Sequence, residues 1–140
     1  MRFEDVDIKK TRDEVRRVMT LYNTLLVKLE ASKTPRMTAS YSINYGSGTN
    51  RKGSSLEDFT LKKIMLENKI EEVIQTIVDG LNKLDLDERR FLYYRYLDST
   101  KYTDEQIMDK MHYSDKPFRN LKYAAYVKFA VFIDKVVYKN

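Results

Sequence analysis

The sequence predicts an all-α protein, with helices in the N-terminal part and a short helix followed by a longer one near the C-terminus. Apolar residues recur every three or four positions in three segments of this 140-residue chain, which is typical of amphipathic helices. Only two prolines and four glycines occur, and three of those glycines lie between residues 46 and 53. Because proline and glycine interrupt helices, their scarcity elsewhere permits long helices.

The first 30 residues predict one helix, from about residue 11 to residue 30. Its apolar stripe has spacings of three and four and consists of Val15, Val18, Tyr22, Leu25 and Leu29. Residues 31–55 have no such period. They are rich in Ser, Thr and Gly and carry four basic and no acidic side chains, so we expect a basic flexible linker.

Residues 56–84 predict a long helix, for which Ser55 can serve as the N-cap. An apolar seam runs along it at coiled-coil spacing and consists of Ile70, Ile74, Ile77, Leu81 and Leu84. Burying each such side chain is worth about 2 kcal/mol, so the seam should be covered. An intramolecular hairpin with the first helix and a homodimer both satisfy this requirement.

Residues 85–140 predict three further helices, the first capped by Asp85 or Asp87. Thr103 and Gln106 have the spacing of a capping box, His112 falls in a turn, and Ser114 can cap the last helix. A short helix, a tight turn and a longer helix make a helix-turn-helix motif. Its predicted core consists of Ile107, Met111, Phe118 and Leu121.

The last helix is expected to continue to Val136 and is apolar around nearly its whole circumference. We therefore expect it to pack on the N-terminal helices or to form a subunit interface. The outward side of its first turns carries residue types that reach phosphates or base edges, namely Ser114, Lys116, Arg119, Asn120, Lys122 and Tyr123. The net charge of +5 suits a polyanion or an acidic protein.

Several classes of function are disfavoured by composition. The chain has no cysteine and one histidine, which excludes disulfides, thiolate sites and any site that needs two imidazoles, and which disfavours a zinc centre. It has no glycine-rich phosphate loop or nucleophile–base pair, and we expect neither an enzyme nor a cofactor. The longest apolar stretch, residues 124–133, is much shorter than the about 20 residues that span a bilayer. We expect no membrane association and a cytoplasmic location.

A resemblance to a known family covers residues 84–133. In order, the matching segments are L-x-L-x-E-R-x-x-L-Y-Y-R-Y, T-D-E-Q-I-M-D-K-M and S-x-x-x-F-R-x-L-K-x-A. This order resembles region four of bacterial sigma factors, and is more similar to phage transcriptional regulators of the ArpU and RinA type. The resemblance implies an activator of phage late genes that binds double-stranded DNA and works with the host RNA polymerase. It also places Thr103 at the DNA backbone, and Lys116, Arg119 and Lys122 on the recognition helix.

Two other functions remain open at this point. One is a small terminase subunit of a phage, which binds packaging DNA as a ring. The other is a helical protein-interaction factor that binds no DNA. The sequence departs from the family pattern at Met108, His112 and Pro117, and the last of these lies in the first turn of the predicted recognition helix.

Overall fold

The computed structural model of the chain describes residues 3–33 and 50–139, with side chains described for residues 4–30 and 60–139. After a 3-10 turn at Phe3–Asp5, the helices are α1 (Ile8–Lys33), α2 (Asn50–Asn82), α3 (Leu86–Leu92), α4 (Asp104–Met111) and α5 (Asp115–Phe132). A π-helical turn, Tyr93–Leu97, continues α3. The described residues form no strand beyond one isolated bridge between Val6 and Tyr138. The predicted all-α class is confirmed.

Both helices that flank the predicted linker, α1 and α2, extend further into it than the sequence predicts. α1 ends at Lys33 and α2 begins at Asn50, so both ends of the predicted 31–55 linker are helical. Ser55 therefore lies inside α2 and is not its N-cap. No proline lies between residues 50 and 55, and one glycine within a helix costs only about 1 kcal/mol, so the helix can continue. Residues 34–49 of the predicted linker lie outside the described residues.

The chain divides into two compact units. The first consists of Met1–Asn23 and Gln75–Asn140, and the second of Thr24–Ile74. Of the predicted apolar seam, Ile77, Leu81 and Leu84 lie in the first unit and are buried within the single chain. Ile70, in the second unit, is also buried, whereas Ile74 is half-buried. The burial of four seam residues therefore requires no second copy.

The core of the first unit is built around α3 and α5. The fully buried Phe91 ring meets the rings of Phe118 and Tyr126 edge-on, with both centroid distances at 5.6 Å. α1 contributes Val15 and Met19, which are fully buried. Asp85 is the N-cap of α3, and its backbone N–H donates to Glu88 Oε1 at 3.0 Å. These contacts hold α5 firmly on its inner side.

The C-terminus differs from the prediction, because α5 ends at Phe132 and Val136 lies beyond it. Asp134 has a positive φ of 60°, which turns the chain out of the helix. The last residues then pair with the N-terminal segment. Thr11 Oγ1 donates to Val137 O and accepts from Val137 N, and Lys139 N donates to Asp5 O at 2.9 Å. Backbone groups that a longer helix would bond internally are satisfied across the two termini instead.

The second unit exposes large apolar side chains on both of its helical segments. Val27 on α1 and Met65 on α2 are 69% and 68% exposed. Leu26, Leu61, Ile64 and Leu66 in the same unit are also exposed. Exposed apolar residues are common on protein surfaces, and a contiguous group of them is typical of a surface that contacts another molecule.

Candidate nucleic-acid interface

The N-terminus of α4 is set by the predicted capping box, which is confirmed. Thr103 Oγ1 accepts from Gln106 N at 3.3 Å, and Gln106 Oε1 accepts from Thr103 N at 2.9 Å. The two residues satisfy each other's otherwise unpaired backbone donors at the helix start. The Thr103 hydroxyl oxygen, which the family resemblance places at DNA, therefore accepts one hydrogen bond from the helix start, and its O–H can still be donated to a phosphate.

The connection between α4 and α5 consists of residues 112–114. His112 has φ 59° and ψ 46°, which is the left-handed conformation expected for this turn. Tyr113 N donates to Met108 O at 2.9 Å and closes the end of α4. Ser114 is the N-cap of α5, as predicted, but its side chain makes no capping hydrogen bond.

Tyr113 ties this turn to α3. Its hydroxyl donates to Asp87 Oδ2 at 2.5 Å. That hydrogen bond, followed by burial, raises the pKa of Tyr113 above its ordinary value of 10.0. Tyr113 also packs edge-on against Phe118, with the ring centroids 6.4 Å apart. The start of α5 is therefore held in place by the body of the first unit.

The four predicted core positions of the motif are unequally buried. Ile107 is fully buried and Phe118 is 4% exposed, whereas Met111 and Leu121 are half-buried. Ile107 and Phe118 are thus the two predicted core positions that the fold buries.

One exposed face of α5 brings together several predicted DNA-binding residues. Lys116, Arg119 and Asn120 are exposed, and Tyr123 is 40% exposed. Their spacings of three and four residues place them on the same side of the helix. Within the described part of the chain, neither Lys116 nor Arg119 forms an ion pair. Two uncompensated cations are thus available to an anion on this face.

Lys122 differs from the other predicted residues. Its Nζ lies 2.5 Å from Asp104 Oδ2 at the start of α4, and its side chain is only 28% exposed. The other oxygen of Asp104 lies 3.7 Å from Arg95 Nε. Lys122 therefore bridges α4 and α5, and its charge is largely compensated.

The N-terminal segment lies along one side of this exposed face. A cleft of about 760 Å³ is lined by Glu4, Asp7, Asn120, Tyr123 and Lys139, together with two apolar residues. The carboxylates of Glu4 and Asp7 oppose the entry of a polyanion on this side. An anion would therefore approach from the side of Lys116 and Arg119.

A smaller cavity of about 270 Å³ lies between α1 and α5. It is lined by Ile8, Arg12, Arg119, Lys122, Tyr123 and Tyr126. Arg12 was not among the residues predicted from the sequence, because its place beside α5 depends on how two helices distant in sequence pack. No local sequence signal distinguishes it from the other basic residues of α1.

Tyr126 forms the inner wall of that cavity. It is 2% exposed, and its hydroxyl lies 2.6 Å from the Tyr96 hydroxyl. Burial, assisted by Tyr96, raises the pKa of Tyr126 far above the ordinary value for tyrosine. The Tyr126 hydroxyl therefore stays neutral and leaves the positive charge of the neighbouring side chains uncompensated.

Among the described residues, no group of three or more His, Cys, Asp or Glu side chains could hold a metal ion. None of the helices that the structure describes is long and apolar enough to cross a membrane.

Comparisons with known proteins identify no relative of the chain. No family model matches the chain, and no match is found among curated proteins or solved structures.

Proposed function

We propose that this protein is a sequence-specific DNA-binding transcriptional activator of phage late genes that acts with the host RNA polymerase. The observation that carries the proposal is the exposed face of Lys116, Arg119, Asn120 and Tyr123 on α5, directly after a three-residue turn. A major groove about 12 Å wide admits an α-helix, so this face can enter it. The phage and polymerase assignments follow from the resemblance over residues 84–133.

The residues of this face have separable roles in the proposal. Arg119 matches the paired acceptors of a guanine, and Asn120 matches the donor and acceptor of an adenine. Lys116, in the first turn of α5, is suited to a backbone phosphate. Lys122 positions α4 against α5 through its hydrogen bond to Asp104 and so helps to fix the orientation of the exposed face.

Arg119→Ala tests the role of α5. A selection from random duplex DNA with the full chain should return a defined site. We expect Arg119→Ala to weaken binding to that site by about 1–3 kcal/mol, the usual loss for one bidentate base contact. Arg90→Ala is the matched control, because Arg90 is an exposed arginine on α3.

The outcome is measured by fluorescence anisotropy at several salt concentrations. Lys116→Ala should weaken binding to all sequences alike and lower the salt slope by about one. Equal losses in Arg119→Ala and Arg90→Ala would contradict the assignment of α5. Transcription of the selected site by bacterial RNA polymerase, with and without the protein, tests activation.

A homodimer is part of the proposal, and the exposed apolar residues of the second unit support it. Val27, Leu61 and Met65 offer a surface that a second copy could cover. Light scattering should give twice the 16.7 kDa mass of the chain. A ring of many subunits would instead favour the small terminase alternative.

A further inference from the structure

We propose that the cavity between α1 and α5 is a phosphate-binding pocket in which Arg12 and Arg119 are the ligands. Neither residue forms an ion pair within the described chain, and both line the same cavity of about 270 Å³. The pocket adjoins the DNA-contacting face of α5 and shares Arg119 with it, whereas Arg12, on α1, belongs to the pocket alone. The proposal thus gives a function to α1, a part of the first unit that the proposed DNA-binding face does not include.

The environment of Arg12 supports an anionic ligand. Its Nε atom is buried and has no hydrogen-bond partner among the described residues. A buried guanidinium donor without an acceptor is unfavourable, and such groups in native proteins call for an explanation. A shift of the Arg12 side chain toward an anion in the adjoining cavity would give this donor the acceptor that the surrounding protein does not.

The charge balance of the lining favours an anion over a neutral ligand. The lining contains three basic residues and no carboxylate. Asp104 compensates Lys122 from outside the lining, at 2.5 Å, which leaves the charges of Arg12 and Arg119. A phosphate monoester with about −1.5 to −2 charges balances these two cations, and a backbone phosphodiester with one negative charge is attracted by the same pair.

The presence of two arginines favours phosphate over a carboxylate. Arg12 and Arg119 line the cavity from two different helices. A planar carboxylate is suited to one arginine fork, whereas the tetrahedral oxygens of a phosphate accept from several directions. The cavity of about 270 Å³ lies just below the about 300–1,000 Å³ of drug-sized sites, so it has room for a phosphate group together with part of the molecule that carries it.

Such a phosphate can come from the DNA backbone or from a small phosphorylated molecule, and the experiment separates the two sources. Inorganic phosphate is titrated into the full chain by calorimetry at constant ionic strength. We expect Arg12→Gln to weaken phosphate binding by about tenfold or more, the loss for a charged hydrogen bond. Arg16→Gln, an exposed substitution one turn further along α1, should leave phosphate binding unchanged.

The second arm uses the selected DNA duplex. If the phosphate is that of DNA, Arg12→Gln weakens binding to all sequences and lowers the salt slope by about one. If only inorganic phosphate binding is lost, the pocket serves a small phosphorylated ligand and the proposal stands. A chain that binds phosphate through Arg12 but no specific DNA would overturn the proposed function alone.

The proposal is wrong if the wild-type chain binds no phosphate in either arm, or if Arg12→Gln and Arg16→Gln behave alike in both. Circular dichroism first establishes that Arg12→Gln is folded. Should it not fold, Arg119→Gln replaces it in the inorganic phosphate titration, because Arg119 is exposed and its loss removes no core contact. An unchanged phosphate affinity of Arg119→Gln would then contradict the proposal that this cavity binds phosphate.

Discussion

Gly80→Ala tests whether helix propensity or packing decides the stability of α2 where it lies in the first unit. An alanine inside a helix is normally favoured over glycine by about 1 kcal/mol. In this structure, however, an added Cβ at Gly80 would lie 2.9 Å from Ile133 Cγ2 and 3.2 Å from Phe129 Cε1. Phe129 is fully buried, so its ring has no room to move away.

Helix propensity and overpacking have opposite effects on stability, and their relative magnitudes decide whether Gly80→Ala stabilises or destabilises the protein. Overpacking of a dense core costs about 1–3 kcal/mol, which exceeds the gain in propensity. We therefore expect Gly80→Ala to lower the free energy of unfolding by about 1 kcal/mol. For a chain of this length, that loss corresponds to a decrease in Tm of roughly 4 °C.

Urea unfolding followed by circular dichroism measures the change, and a double-mutant cycle isolates its cause. Ile133→Ala removes the closest contact atom, so the cost of Gly80→Ala should become smaller in that background. Stabilisation of the otherwise wild-type protein by Gly80→Ala would refute the reasoning. An equal cost in both backgrounds would show that Ile133 is not the cause.

Two further predictions concern the same unit. Glu88 is 4% exposed and accepts from Lys128 Nζ at 2.9 Å, and this hydrogen bond is the main reason that the pKa of Lys128 is raised above 10.5. The hydrogen bond therefore stabilises the protein fully below pH 10.5, and this stabilisation is lost as the pH rises through the folded-state pKa of Lys128. The difference in free energy of unfolding between wild type and Glu88→Gln should accordingly shrink in urea titrations at alkaline pH. Thr103→Ala should cost about 1 kcal/mol through loss of the α4 cap, while Thr103→Ser should retain most of it in the same assay. An unchanged Thr103→Ala variant would contradict the capping role.

Much of the helical framework could be predicted from local patterns. The period of Val15, Val18 and Tyr22 predicts α1, and the spacing of Thr103 and Gln106 predicts the start of α4. These features depend on residues within about four positions of one another, since helix hydrogen bonds and caps join near neighbours. A pattern in the sequence is therefore sufficient to identify them.

Other features depend on contacts between residues far apart in the chain. Lys122 bonds to Asp104, Arg12 lies beside α5, and the last residues pair with Val6 and Asp7. No periodicity carries this information, because partners across helices are chosen by close packing and by the need to satisfy buried polar groups. The helices thus follow from the order of residues along the chain, whereas the distribution of charge around α5 follows from tertiary packing.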